Sequence, residues 1–271
     1  MPRLFFVVCL VWLASAAARA GNELPSASVF LEDLTWTELR EAEAAGKTTI
    51  IIPVGGTEQN GPLMAIGKHN VRVKALAGRI AEGLGDTLVA PVVAYVPEGT
   101  ISPPTEHMRF PGTITVPDDV FEKVLESAAK SLAAHGFKDI VLIGDHGGYQ
   151  RDLGIVADRL NREWAGGPVR AHFIEDYYRA SLGEFAQALL GHGARQSELG
   201  THAGLADTSL MLAVDPKLVR AGKLASAGKL GAADGIYGGE PTRSSAEFGQ
   251  LGVDLIVART IEAIHKATMR R

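Results

Sequence analysis

Four short apolar runs constrain the fold of this chain more than any other feature of its sequence. Each of the first three runs is followed by a polar loop, and segments with helical periodicity lie between the runs. The apolar residues of the first run are consecutive rather than alternating, which is typical of strands covered on both faces. The predicted strands lie in residues 48–54, 87–96, 139–143 and 169–174.

The segments between these runs predict the helices. Thr35 and Glu38 form a capping-box pattern before a first helix that Gly46 ends. Further helices are predicted over residues 71–82, 118–135 and 151–164. In the second of these three, the apolar stripe predicted to face inward includes Val120 and Val124. Alternating strands and helices predict the α/β class, as a single domain whose mostly parallel sheet carries helices on both faces.

Polar loops follow the first three predicted strands, and they contain the residues with the most chemistry. In a parallel sheet the ligand crevice lies at the carboxyl ends of the strands, so we expect these loops to meet at one edge. Their candidate residues are Glu58, Asn60, His69, Glu106, His107, Asp145 and His146.

Residues 144–150 read GDHGGYQ, directly after the third predicted strand. A structural loop needs one glycine, and it has no need of a histidine beside an aspartate. Gly147 and Gly148 allow a sharp turn and leave space for a ligand. His146 is therefore the strongest single candidate for a functional side chain.

Histidines and carboxylates together suggest a metal site. Four of the eight histidines lie in polar segments punctuated by glycine or proline: His69, His107, His146 and His202. The carboxylates that accompany them are Glu58, Glu106, Asp145 and Asp207. Such a set suits zinc, manganese or iron and can leave a position for water. Asp207 also has a structural interpretation, because a carboxylate in the first turn of a helix caps free amides and complements the helix dipole.

The first 20 residues have the layout of a secretory signal peptide. Arg3 precedes an apolar stretch, and Ala-Arg-Ala ends the segment as a cleavage site. The stretch is short for a membrane span, although an uncleaved anchor is the alternative. We expect a signal peptide at residues 1–20, a mature domain at 21–271, a secreted or periplasmic location, and no membrane association after cleavage.

The charge of the mature chain excludes one class of partner. Removal of Arg3 and Arg19 leaves 25 basic against 31 acidic residues, a net charge near −6. With no basic cluster, the chain is not expected to bind nucleic acid. The only cysteine, Cys9, lies in the predicted signal peptide, so no disulfide is expected in the mature chain.

Four blocks of sequence resemble the creatininase (creatinine amidohydrolase) family, in the same order, between about Thr48 and Lys266. The blocks are PVGGTEQNGPLMAIG, EHMRFPGTITV, HGFKDIVLIGDHGGYQ and HAGLADTSLMLAVDPKLV. The resemblance implies a creatininase-like α/β domain, commonly assembled as a hexamer. It also implies metal-dependent hydrolysis of a carbon–nitrogen bond in a small cyclic or linear amide, with two divalent ions in the best-known members.

The resemblance also implies roles for individual residues. By position, Glu58 and His146 match metal ligands, and His202 matches a histidine that handles protons at the scissile bond. Asp207 replaces a family glutamate and is chemically able to bind a metal ion. Asn60 stands where the family has a histidine ligand, and His69 stands where it has an aspartate that can bridge two ions.

The change at position 69 weakens the expectation of two ions, because a neutral imidazole cannot hold two cations close together. We therefore expect one divalent ion per chain, zinc, manganese or iron, and leave a second ion open. The expected ligands are Glu58, His69, His146 and Asp207.

Two hypotheses of function follow. The first is a metal-dependent amidohydrolase in which Glu106 or Asp145 helps to deprotonate water and His202 protonates the departing nitrogen. Asp145 can instead orient an imidazole ligand. The second is a non-catalytic ligand-binding protein that keeps the fold. It is motivated by departures from the family pattern at positions 60, 63, 69, 144 and 149.

Overall fold

A computed structural model describes residues 28–226 and 230–269, so the predicted signal peptide lies outside the described residues. The α-helices are Trp36–Ala44 (α1), Lys68–Leu84 (α2), Asp118–Ala134 (α3), Gln150–Glu163 (α4), Asp176–Leu182 (α5), Glu184–Gly191 (α6), Gln196–Leu199 (α7), Leu205–Val214 (α8) and Ala246–Thr268 (α9). The strands are Thr49–Val54 (β1), Thr87–Val89 (β2), Asp139–Gly144 (β3), Arg170–Phe173 (β4), Gly200–His202 (β5) and Tyr237–Gly239 (β6). In these two ranges no helix is both long and apolar enough to cross a membrane.

The main sheet has four parallel strands in the order β2-β1-β3-β4. The central pair, β1 and β3, is in register over six residues, from Thr49 opposite Asp139 to Val54 opposite Gly144. Strands β5 and β6 form a separate antiparallel pair. The predicted α/β class and parallel sheet are confirmed.

Helices cover both faces of the sheet, which explains the consecutive apolar residues of β1. Ile51 packs on one face with residues of α2 and α9, whereas Ile50 and Ile52 pack on the other face with residues of α3 and α4. All three isoleucines are at most 1% exposed. Burying an isoleucine side chain stabilises a fold by about 1.5 to 3 kcal/mol, so β1 is a main source of core stability.

Two predicted elements have different bounds in the structure. Strand β2 ends at Val89, not near residue 96, because Pro91 has no N–H to continue the ladder. The chain nevertheless stays beside β1, since the Val93 amide donates to the Pro53 carbonyl at 3.0 Å. Helix α2 begins at Lys68 rather than near residue 71. Lys68 and His69 therefore lie in the first turn of a helix and not in a loop.

The apolar surface of α3 has a buried part and an exposed part. Phe121, Leu125 and Ala129 are fully buried against the sheet. Val120 and Val124, predicted to face inward, are 43% and 48% exposed. The stripe prediction was wrong at these two positions, because the helix buries the row that begins at Phe121.

Candidate metal centre

Two carboxylates and two imidazoles converge at the carboxyl end of the sheet. Glu58 follows β1, Glu98 and His107 lie in the long segment after β2, and His146 follows β3. Each offers one ligand atom, and these atoms all lie within 4.8 Å of one another. The predicted meeting of the three loops at one edge of the sheet is confirmed.

Three buried carboxylate oxygens in this cluster have no hydrogen-bond donor. Within the described part of the chain, Oε2 of Glu58 and both oxygens of Glu98 make no hydrogen bond. Both side chains are 0% exposed. The separation of His107 Nδ1 from Glu58 Oε2 is 3.0 Å, and that of His146 Nδ1 from Glu98 Oε1 is 3.7 Å. Buried carboxylates without donors require a proton or a cation, so this donor set fits a divalent ion such as zinc, manganese or iron.

The pKa values in the cluster favour cation binding. Burial and then the charge of Glu58 raise the pKa of Glu98 to about 9. Burial would also raise the pKa of Glu58, but Lys68 and His69 hold it well below its usual range. Burial lowers the pKa of His146 to about 3. A neutral imidazole presents a lone pair, so His146 needs no proton removed before it binds a metal at neutral pH.

His69 lies behind the cluster rather than in it. Its Nε2 is 2.6 Å from Glu58 Oε1, and its Nδ1 is 2.6 Å from Asp145 Oδ2. Because both ring nitrogens face carboxylates, the geometry favours a role in holding Glu58 over the expected role as a metal ligand. Asn60 supports the same loop, since its amide donates to the carbonyls of Glu58 and Ala65 at 3.0 Å.

Asp145 is the anchor for His69. Its carboxylate accepts hydrogen bonds from Arg72 Nε at 2.9 and 3.1 Å and from the Tyr177 hydroxyl at 2.7 Å. Burial would raise the pKa of Asp145, but Arg72 and His69 lower it below its usual value. With every oxygen already bonded, Asp145 fits the orienting role and not the role of a base.

Asp207 also lies outside the cluster. It sits in the first turn of α8, as predicted, where its carboxylate pairs with Lys68 and with Arg72. The Ala203 amide donates to it at 3.0 Å. Burial would raise the pKa of Asp207, but the two cations hold it well below its usual range. The geometry favours an ion-paired residue here, with Glu98 and His107 taking the places expected for His69 and Asp207.

Glu106 is on the surface. It opens a short 3-10 turn with a left-handed φ of 47°, and its side chain is exposed. Its backbone carbonyl accepts a hydrogen bond from Arg109 Nε at 3.1 Å. Nothing in these contacts supports the catalytic role expected for Glu106.

His202 faces the cluster from the end of β5. Its Nε2 is 2.8 Å from the carbonyl oxygen of Gln59, which favours the tautomer with the proton on Nε2. Its Nδ1 is 3.5 Å from Lys68 Nζ and 3.5 Å from Glu58 Oε1. Burial and then Lys68 lower the pKa of His202 to about 3, so the ring is neutral at pH 7 and Nδ1 can accept a proton.

A cavity of about 250 Å³ opens beside the cluster. Polar side chains in its wall include Lys68, His107, His146, His202, Tyr178 and Tyr237. Neither Glu98 nor Lys68 was singled out in the sequence. Glu98 had a usable signal, because it is a charged residue just after an apolar run.

The two glycines after His146 provide space. A Cβ on Gly147 would lie 2.4 Å from the Tyr178 hydroxyl, and one on Gly148 would lie 3.0 Å from Cε1 of His146. Neither glycine has a positive φ. The two glycines therefore allow Tyr178 and the His146 ring to approach the backbone closely, whereas the predicted sharp turn does not require glycine here.

Tyr149 joins the loops that carry Glu58 and His146. Its buried hydroxyl lies 2.8 Å from the Val54 carbonyl and 2.5 Å from the Gly55 carbonyl, at the end of β1. The same oxygen accepts from the amides of Asp145 at 3.1 Å and His146 at 3.0 Å. One hydroxyl thus fixes the end of β3 to the end of β1.

Comparison with known proteins identifies the family. A family model for creatininase, described as creatinine amidohydrolase, matches residues 32–264. The chain belongs to the creatininase family. Creatinine amidohydrolase of Pseudomonas putida is 32% identical over 203 residues, covering 72% of this chain and 75% of that protein. The mycofactocin precursor peptide peptidase of Mycolicibacterium smegmatis is 28% identical over 206 residues, covering 74% and 78%.

Solved creatininase structures share this fold. A manganese form of creatininase has a TM-score of 0.72 at 26% identity and covers 89% of this chain and 99% of its own. A mutant creatininase of Zn–Zn type has a TM-score of 0.69 at 25% identity over the same shares of the two chains. The creatininase-like fold is confirmed. The two relatives are named as an amidohydrolase and a peptidase, and the two creatininase structures are described as a manganese form and a Zn–Zn form.

Proposed function

We propose that this creatininase-family protein is a metal-dependent hydrolase that cleaves a carbon–nitrogen bond of a small cyclic or linear amide. The observation that carries the proposal is the convergence of Glu58, Glu98, His107 and His146, with three buried carboxylate oxygens that lack donors. The named relatives support amide hydrolysis, and they differ in substrate. The substrate class is therefore amides rather than creatinine in particular.

The four converging side chains would hold one divalent ion per chain. Such an ion lowers the pKa of water towards neutrality and polarises a carbonyl oxygen. The chain supplies two carboxyl groups and two imidazoles, a set that zinc, manganese and iron all accept. Two of the four, Glu58 and His146, are the ligands expected from the sequence.

His202 is the proposed proton carrier. Its Nε2 is held by the Gln59 carbonyl, so the lone pair on Nδ1 faces the Lys68 ammonium and Glu58 Oε1, each at 3.5 Å. The lowered pKa keeps the ring neutral before reaction, so Nδ1 carries no proton until water gives one up. The same Nδ1 then delivers this proton to the departing nitrogen. A positioned acid–base group of this kind typically contributes about 10² to 10⁴ in rate.

The cavity favours a small substrate. Its volume, about 250 Å³, lies just below the usual range of about 300 to 1,000 Å³ for small-molecule sites. The hydroxyl groups of Tyr178 and Tyr237 are placed to donate hydrogen bonds to a polar substrate, while Leu182 and Leu210 supply an apolar wall. An extended peptide would need a longer groove than this cavity provides.

The test is hydrolysis of a panel of lactams and linear amides by the purified mature protein. Turnover should disappear after chelation and return with zinc or manganese, and His146→Ala should lose both metal and turnover. His192→Ala is the matched control, because His192 is exposed and bonds only its own helix. Turnover that survives chelation would contradict the metal-dependent mechanism. Stoichiometric binding of panel members without turnover would instead support a non-catalytic ligand-binding protein.

We also propose that the mature chain is exported to the periplasm or outside the cell and assembles as a homo-oligomer, of which the hexamer is the family expectation. An exposed apolar groove supports assembly. Tyr95, Val120 and Val124 lie along it and are 63%, 43% and 48% exposed. Exposed apolar surface of this kind commonly marks a protein–protein contact.

A further inference from the structure

The ammonium group of Lys68 lies among three atoms of the kind that bind metal ions. Its Nζ pairs with the Asp207 carboxylate and is 3.5 Å from both Glu58 Oε1 and His202 Nδ1. The side chain is only 1% exposed. Lysine is rarely buried so completely unless it is paired, so this position requires an explanation.

Glu58 connects this ammonium to the candidate metal centre. Its Oε2 faces His107 and His146, at 3.0 and 3.5 Å. Its Oε1 faces Lys68 and His69, at 3.5 and 2.6 Å. One carboxylate therefore has a metal-binding oxygen on one side and an ammonium on the other, in the manner of a carboxylate shared by two cations.

The start of α2 explains how the chain builds this arrangement. Lys68 and His69 are consecutive residues in the first turn, and both reach the same oxygen of Glu58. The other two atoms around Nζ come from β5 and from the first turn of α8. Three separate elements thus place two carboxylates and one imidazole around a single side-chain cation.

We infer that the Lys68 ammonium is a built-in second cation of this site. It fills the position between Glu58, Asp207 and His202 that a second divalent ion would otherwise take, so the protein is built to hold one ion. The inference rests on the proposed function in one respect, namely that a first ion binds to the cluster of Glu58, Glu98, His107 and His146. It assigns Lys68 a positioning role, since the ammonium acts through Glu58 and His202.

The test is metal stoichiometry, measured by native mass spectrometry with zinc in excess. Wild type should bind one equivalent. Lys68→Ala frees both the space and the ligand atoms, so it should bind two. Two further proteins serve as controls. Lys68→Met removes the charge but fills the space, and the double variant Lys68→Ala with Asp207→Asn opens the space but removes a ligand. Each of these two proteins should bind one equivalent of zinc.

Lys74→Ala is the matched control, because Lys74 lies on the same helix and its pair with Glu32 is exposed. It should bind one equivalent. A folded Lys68→Ala protein that still binds one equivalent, or wild type that binds two, would overturn the inference. Folding of each variant is checked by circular dichroism.

Wild type alone also decides the question if Lys68→Ala does not fold. Anomalous diffraction from zinc-soaked crystals should show one ion, with Lys68 Nζ still against Asp207. Two ions, with Nζ displaced, would overturn the inference. When Lys68→Ala does fold, zinc absent from wild type but present beside Asp207 in the variant would support the inference while refuting the proposed function. Zinc absent from both proteins would overturn both.

Discussion

His69 holds Glu58 through a contact of 2.6 Å between Nε2 of the imidazole and Oε1 of the carboxylate. His107 and His146 face the other oxygen of this carboxylate, Oε2. Asp145 fixes the other ring nitrogen at 2.6 Å. Glu58 is thereby oriented by a chain of two contacts before any ion binds, and His69 acts on the ion only through Glu58.

His69→Ala should weaken zinc affinity by roughly 10- to 100-fold and leave the saturated stoichiometry at one ion, because the ligands themselves remain. Affinity is measured by competition with a chelator, and stoichiometry by elemental analysis. His172→Ala is the control, since it removes an imidazole–carboxylate pair with Asp139 at the start of β3. Failure to reach one equivalent at saturating zinc would indicate that His69 is itself a ligand.

Glu98→Gln should lower zinc affinity by at least about 100-fold and stabilise the metal-free protein at alkaline pH. The pKa of Glu98 is raised to about 9 in the folded protein, where the side chain is buried. Its contribution to the free energy of unfolding is therefore complete below about pH 4.5 and is lost as the pH rises towards 9. Thermal melts are measured from pH 5 to 9 on protein freed of metal by a chelator. The melting temperature of the variant should rise relative to that of wild type, by roughly 5 °C at pH 9.

The exposed variant Glu82→Gln is the control for Glu98→Gln and should follow wild type at every pH. Parallel melting curves for Glu98→Gln and wild type would show that Glu98 carries no buried charge in the metal-free protein.

Glu198→Gln should have the opposite pH dependence. Hydrogen bonds from Arg195 outweigh burial and, with those from Arg243, lower the pKa of Glu198 to about 2. Its contribution is therefore complete above about pH 4.5 and is lost as the pH falls towards 2. The variant should melt roughly 3 to 10 °C below wild type at pH 7, and the gap should narrow below pH 4.5. A gap that stays constant to pH 3 would contradict this prediction.

Val124→Glu should disrupt the homo-oligomer without unfolding the chain, because Val124 is 48% exposed on α3. Light scattering coupled to gel filtration should give the mass of an assembly for wild type and a lower mass for the variant. Trp36→Glu, at a residue 73% exposed on α1, is the control for added charge on an exposed apolar position. A monomeric wild type would refute the proposed assembly.

Export should produce a mature chain that begins near Gly21. N-terminal sequencing of protein from the periplasm or medium checks the cleavage site, and deletion of residues 2–20 should retain the protein in the cytoplasm. A membrane fraction that contains the intact N-terminus would indicate an uncleaved anchor.

The sequence was informative where a feature depended on one segment. The consecutive isoleucines of β1 required cover on both faces, and the loops after β1 and β3 placed Glu58 and His146 at the correct edge. Glu98 also follows a predicted strand, at residues 87–96, but its place in the cluster depends on the path of the long segment after β2.

The pairing of charges could not be read from the sequence. Lys68 reaches His202 and Asp207 across 134 and 139 residues, and no local pattern signals such contacts. Asp207 and His69 are residue types that bind metals well. Asp207 instead pairs with Lys68 and Arg72, two cations that α2 brings from another part of the chain. His69, in α2 itself, is held between the carboxylates of Glu58 and Asp145.

The Tyr149 hydroxyl has a thermodynamic consequence for ion uptake. Since it joins the ends of β1 and β3, the loops that carry Glu58 and His146 lose their conformational freedom when the chain folds. Little of that entropy remains to be lost when an ion enters, so binding should be accompanied by little rearrangement of the two loops. Tyr149→Phe would leave the aromatic packing in place, but the two loop ends would regain independent motion and ion uptake would become an ordering event.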